Sequence, residues 1–143
     1  MRFDVSVNLL TLQALRDGNM TVFGGEQVRP NIHIDDIVAV YCHFLDHPEL
    51  PSGAYNAGFE NISIASLAGM VAEETGATME VTESNDPRSY RQDSTKLLQT
   101  GFEPKRDVHT AILDVIAAYK SGQIQERDEW LTVRWMTRLG LGS

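Results

Sequence analysis

The chain has one cysteine in 143 residues, 12 basic residues against 20 acidic ones, and no Gly-x-Gly-x-x-Gly or Gly-x-x-Gly-x-x-Gly loop. It also has no Tyr-x-x-x-Lys pair. A single Cys42 excludes an intrachain disulfide. Its neighbours Tyr41, His43 and Phe44 supply packing rather than an activating base, so a nucleophilic role is not expected. A reducing, cytoplasmic compartment is the simplest expectation. The net charge of −8 argues against nucleic acid as a partner, because a phosphate backbone is bound by clustered Lys and Arg. A small phosphorylated ligand, which needs only one or two placed cations, is not excluded. No apolar run approaches the ~20 residues of a membrane span, and the first 20 residues do not read as a signal peptide. No membrane association is expected.

What is present fits one domain of ordinary soluble composition, 42% hydrophobic and 22% charged. Val5, Leu9, Leu12 and Leu15 form a helix-period stripe that ends at Gly18. Short strands are predicted over Met20–Phe23, Arg29–Ile34, Gly53–Ala57, Thr78–Thr82 and Tyr90–Gln92. Helices are predicted from an Asp35 or Asp36 cap to Asp46, from Ser63 to a Gly76 terminator, over Thr95–Thr100 behind Asp93, and over Val108–Lys120. The tail, 126–139, is amphipathic, with Trp130, Val133 and Trp135-Met136 apolar. The expectation is an α/β class: a small mixed lobe of helices and short strands, 1–143, closed by a helix and tail over 126–143. The strands are too few for an independent doubly wound sheet. The two tryptophans and the apolar first helix either close the local core or await a missing lobe or subunit.

The most informative stretch is Phe-Gly-Gly-Glu-Gln-Val-Arg-Pro-Asn-Ile-His-Ile-Asp-Asp-Ile-Val, from Phe23 to Val38. An apolar strand ends in a Gly-Gly turn, and one arginine opens the next strand. This layout predicts Arg29 at the mouth of a pocket roofed by Phe23. A planar guanidinium offers two parallel donors to paired phosphate oxygens; a surface ion pair with Glu26, Asp35 or Asp36 is the competing reading. Phe23 can stack on a base, worth ~1–3 kcal/mol, or pack in the core. His33 and Asp35 share a strand face, but a third ligand at metal-binding spacing is absent, so an oriented histidine beside a helix cap is expected. Ser63 with Glu60 has no base for a hydrolytic triad. Asn8, near a helix N-terminus, is suited to a phosphate or is simply solvent-facing.

Five segments together resemble the C-terminal, substrate-binding part of extended short-chain dehydrogenase/reductases, the NAD-dependent sugar-nucleotide epimerases and dehydratases. They are Met1–Leu10, Val22–Gly25, Arg29–Asp36, Tyr55–Gly58, and Asn85–Lys96 leading into Gly101-Phe102-Glu103-Pro104. The Arg-x-x-x-His-x-x-Asp run is the most diagnostic. The resemblance implies that Arg29 contacts the diphosphate of a nucleotide sugar, that Thr21 and Phe23 line the base pocket, and that Asn8 with Leu9 lies by the phosphates. It places a second phosphate or ribose contact at Arg88, with Arg91 as the alternative.

Missing from the pattern are the cofactor-binding half and the catalytic Tyr-x-x-x-Lys with its Ser or Thr helper. No catalytic residue or metal ligand is therefore expected here. The resemblance implies NAD in the full enzyme only, with C4 of the sugar oxidised and reduced by a Rossmann half or partner subunit that this chain lacks, so that the chain is a fragment or a separately encoded half. Because the family often dimerises through the absent half, homo-oligomerisation stays open. The alternative is a non-catalytic interaction module of the same fold, binding a protein through the first helix and the Trp130/Trp135 tail.

Overall fold

A computed structural model describes residues 2–84, 88–124 and 127–141. The expectations that fall on Met1, on 85–87 in the fifth segment, on Glu126 and on the last two residues lie outside these. Helix α1 (Ser6–Asp17) leads through Gly18, in the left-handed conformation, into β1 (Asn19–Phe23). β2 (Val28–Asn31) and α2 (Ile34–Asp46) follow, then β3 (Glu60–Ser63), α3 (Ile64–Thr75) and β4 (Thr78–Thr82). A one-turn α4 (Thr95–Leu98), a long α5 (Val108–Lys120), a 3-10 turn over Asp128–Trp130 and α6 (Thr132–Arg138) complete the chain.

The strands form two separate pairs. β1 lies parallel to β4, Met20 opposite Met79 and Val22 opposite Val81, while β2 is antiparallel to β3 with Arg29 opposite Ile62. Alternation sends Met20 and Val22 inward and leaves Thr21 and Phe23 on the opposite face. The core joins Leu10 and Ala14 of α1, Met20 and Val22 of β1, Leu67, Ala68 and Val71 of α3, and Val108, Ile112 and Ile116 of α5. Full burial of side chains such as Leu67 and Ile112 stabilises the fold by ~1.5–3 kcal/mol each. A second cluster sets Phe3 against the Trp130 ring at 5.3 Å, with Leu12, Val115 and Ile124 beside them. The first helix and Trp130 thus close the chain's own core, which corrects their alternative reading as an open partner surface.

Several boundaries differ from the sequence expectation. No strand forms over Gly53–Ala57 or Tyr90–Gln92. In the first, side chains bond the backbone instead: the Tyr55 hydroxyl donates to the Pro51 carbonyl, and Lys96 Nζ to that of Ala54. The second runs beside the β2–β3 pair through isolated bonds, Tyr90 N–H to the Val28 carbonyl and Gln92 N–H to Asn61 Oδ1. The unanticipated strand is β3, whose polar Glu-Asn-Ile-Ser sequence takes its extended form from pairing with β2. β2 stops at Asn31, and α2 begins at least two residues earlier than an aspartate cap allows. The cap is His33, whose Nδ1 accepts the Asp35 N–H. Ser94, not Asp93, occupies the cap position of α4. The tail is a 3-10 turn and a two-turn helix rather than one continuous helix. No helix among the described residues is long and apolar enough to cross a membrane.

Candidate functional site

The turn after β1 is built to close tolerance. Gly24 and Gly25 have φ of 79° and 103°, and a Cβ on Gly24 would sit 2.5 Å from the Gln27 side-chain nitrogen. Only glycine fits there without moving its neighbours. Gln27 spans the turn, its Oε1 accepting from Gly25 N–H and its Nε2 donating to the Phe23 carbonyl. Gly24 N–H donates to Thr82, and Ala65 N–H to Gly25, so the turn is fixed between β4 and the start of α3. Phe23, at the rim of this turn, is 62% exposed, which removes the core-packing reading of that ring.

Arg29 leaves β2 towards the segment that carries Arg88. Its Nη1 donates to the carbonyls of Val28 at 3.0 Å and Arg88 at 2.6 Å, and its guanidinium lies 5.1 Å from the centre of the Tyr90 ring. Ser89 Oγ accepts the Val28 N–H, and Tyr90 N–H returns to the Val28 carbonyl. The Arg29 side chain therefore reaches the backbone of Arg88, 59 positions away in the chain. Two of the three acids offered as ion partners for Arg29 have other work: Asp35 approaches Arg106 at 3.5 Å, and the Asp36 carboxylate accepts the N–H groups of Lys105 and Arg106.

The remaining candidates are spread over other elements. Thr21 and Phe23 share the outer face of β1. On α1, Asn8 donates its amide to the Arg2 carbonyl at 2.7 Å, and Leu9 lines a cavity of about 290 Å³ with Phe3, Gln13 and Leu131. A larger groove of about 620 Å³ runs along α2 between Ile37, Tyr41, Phe44, Pro48 and Tyr55. Neither cavity includes Arg29 or Phe23, so the expected pocket roofed by Phe23 is not among them.

The histidine expected beside the α2 cap is oriented at both ring nitrogens. His33, buried, presents Nε2 to Asp114 at 3.2 Å while Nδ1 caps α2. The Nδ1 lone pair is thereby engaged, and among the described residues no group of three or more His, Cys, Asp or Glu side chains is arranged to hold a metal. Two of the recognisable segments interlock: Gly58 exchanges hydrogen bonds with the Ser94 hydroxyl, Asn56 donates to the Asp93 carbonyl, and Lys96 Nζ sits 4.0 Å above the Tyr55 ring. Their signature residues thus have a scaffolding role that a motif alone does not reveal.

The same geometry bears on NAD. Its pyrophosphate is normally held where a strand runs through a glycine loop into a helix N-terminus. Here β1 runs through Gly24-Gly25 into β2, a strand, so the described residues do not fit the cofactor.

No protein-family model matches the chain. Solved structures do. MoeE5 in complex with UDP-glucose and NAD superposes with a TM-score of 0.71 at 21% identity, over 87% of this chain and 44% of that one. A dTDP-glucose 4,6-dehydratase from Bacillus anthracis in complex with NAD gives 0.71 at 19%, over 94% and 43%. A UDP-glucuronic acid 4-epimerase from Bacillus cereus, in complex with UDP-glucuronic acid and NAD, gives 0.63 at 25%, over 78% and 38%. The chain thus has the fold of part of the NAD-dependent sugar-nucleotide epimerases and dehydratases, in agreement with the resemblance read from its motifs. It spans about two-fifths of their length.

Proposed function

We propose that this chain is the nucleotide-sugar-binding part of an NAD-dependent sugar-nucleotide epimerase or dehydratase, with the redox step carried by a cofactor-binding unit outside it. The observation that carries the reading is the meeting of Arg29 with the Arg88 segment over the Tyr90 ring, in a fold shared with enzymes that hold UDP-sugars. A guanidinium oriented by two carbonyls and a ring loses little further freedom on meeting a diphosphate. Arg29 and Arg88 clamp the phosphates, and Thr21 with the exposed Phe23 frames the base. Asn8 and Leu9, in the first turn of α1, add the positive end of a helix dipole. What this chain contributes is binding and orientation; it supplies no catalytic acid or base.

Calorimetric titration of the chain with UDP-glucose and dTDP-glucose tests this. Arg29→Ala is expected to weaken binding tenfold or more, since charge-assisted hydrogen bonds contribute ~1.5–3 kcal/mol. Arg29→Lys, which keeps charge and loses the fork, falls between. Equal affinity in all three proteins, or no binding by the unaltered chain, overturns the proposal. The alternative, a non-catalytic interaction module, has one observation in its favour, the open apolar face of α2.

A further inference from the structure

The cavity of about 290 Å³ lies between α1 and the segment 127–134, and its lining divides into two chemistries. Phe3, Leu9, Leu12 and Leu131 make one part apolar. Arg16, Arg127 and Arg134 bring guanidinium groups to the other, Gln13 brings an amide, and no Asp or Glu among the described residues lines it. Three of the chain's 12 basic residues thus surround one opening, in a chain whose net charge is −8. Leu9, Leu12, Gln13 and Arg16 lie three or four positions apart, so a single face of α1 presents all four. The facing wall is fixed in place. Phe3 N–H donates to the Trp130 carbonyl at 2.8 Å, the two rings lie 5.3 Å apart, and Trp135 N–H returns to the Leu131 carbonyl. Asp17, outside the lining, accepts from Arg16 Nε and Nη2 and so orients that fork. Gln13 adds an independent sign: its Oε1 is buried and has no hydrogen-bond partner among the described residues. Leaving such an oxygen unmatched costs ~1–3 kcal/mol, and folded proteins rarely do so.

We infer that this cavity is a binding site for a small organic phosphate monoester, with the phosphate at the arginines and an apolar or aromatic body against Phe3, Leu9, Leu12 and Leu131. Planar guanidinium groups offer paired donors to phosphate oxygens, and several of them together suit a dianion. The apolar part of the lining would desolvate a bare ion without compensation, so the ligand needs a body as well as a charge. A hydroxyl or N–H on that body satisfies Gln13 Oε1. Ligand pockets span ~300–1,000 Å³, and a cavity at the small end of that range fits a free ester rather than the chains of a lipid. The cavity shares Leu9 with the nucleotide-sugar reading but none of Thr21, Phe23, Arg29 or Arg88, so the two sites can be told apart by residue.

Calorimetric titration of the chain with 4-hydroxyphenyl phosphate, and separately with inorganic phosphate, tests this. The ester should bind about tenfold or more tightly than the bare ion, because only it fills the apolar part. Arg134→Gln, at an exposed position, should weaken the ester about tenfold, and Gln13→Glu, which sets a carboxylate against the phosphate, should weaken it further. Neither should lower the melting temperature; if Gln13→Glu does not fold, Arg134→Gln decides alone. Amide NMR shifts on adding the ester should centre on residues 9–16 and 131–134. Equal affinity for ester and inorganic phosphate, no binding of the ester, or unchanged ester affinity in either folded variant overturns the inference. Shifts centred on residues 23–29 and 88–90 do the same, since they place the phosphate at the other site. Co-sedimentation with phosphatidic acid vesicles, without binding of the soluble ester, assigns the cavity to a lipid headgroup and also overturns it.

Discussion

His33 and Asp114, 81 positions apart, face each other at 3.2 Å, and the same imidazole caps helix α2 with its other nitrogen. An Nδ1 that accepts from Asp35 N–H leaves the proton of the neutral ring on Nε2, where it points at the carboxylate. One buried side chain therefore starts α2 and ties it to α5.

Replacing His33 separates the two tasks. His33→Ala is expected to destabilise the chain by ~2 kcal/mol, the loss of a cap and of a hydrogen bond to a charged acceptor. His33→Asn restores a capping oxygen but does not reach Asp114, and should recover about half of that loss. Urea unfolding measures both; equal stability of the alanine variant and the parent would remove the cap from the account.

Asp36 is the firmest of the acids. Its two carboxylate oxygens accept the N–H groups of Lys105 and Arg106, both at 3.0 Å, and the side chain is buried. Asp36→Asn places an NH2 group against one of those donors and should cost ~1–3 kcal/mol, a fall in melting temperature of roughly 3 °C per kcal/mol for a chain of this size. Amide exchange at Lys105 and Arg106 should accelerate in the same variant, a local signature that general destabilisation alone does not give.

The start of α5 responds to acid. Asp107 Oδ1 accepts from both the hydroxyl and the N–H of Thr110, and these bonds hold its carboxyl below the ordinary carboxylate value. Because the folded value is depressed, the stabilisation is present above the ordinary value of 3.8 and disappears as pH falls through the folded one. Asp107→Ala should cost ~1 kcal/mol at neutral pH and progressively less in acid. A pH-independent difference between the two proteins would show that the cap is not carried by the ionised carboxylate.

At the other side of α5 the dependence runs the opposite way. His109 Nε2 lies 2.7 Å from Glu74 Oε1 on α3, and this hydrogen bond, with the charges of Glu74, Asp107 and Glu73, raises the imidazole above its ordinary 6.5. The contribution is complete below 6.5 and is lost as pH rises through the raised value. An NMR titration should place the His109 midpoint above 6.5 and return it towards that value in Glu74→Gln. An unmoved midpoint would exclude Glu74 as the cause.

Local signals explain why much of this fold can be read from the chain. Gly18 and Gly76 end α1 and α3 in the left-handed conformation, Ser63 and Asp107 cap α3 and α5, and α5 spans the predicted Val108–Lys120. Each of these depends on residues within one turn of the boundary. What escaped depends on distant partners: β3 has no strand-forming sequence and owes its shape to β2, and the Asp114 carboxylate that faces the His33 ring lies 81 positions away. For the candidate site, the resemblance grouped Arg29 with Arg88, or with Arg91 in its place, and the Arg29 side chain does reach the Arg88 carbonyl. What lies over Phe23, exposed among the described residues, is not legible, because no periodic pattern tells which neighbouring element covers an aromatic ring.

Because Asp36 grips the loop that precedes Asp107, and His33 grips Asp114 nearly two turns beyond the start of α5, the exposed helix is moored to the rest of the fold at two separate points. Any displacement of α2 would therefore have to break or carry along both moorings, the Lys105–Arg106 loop and the Asp114 carboxylate on α5.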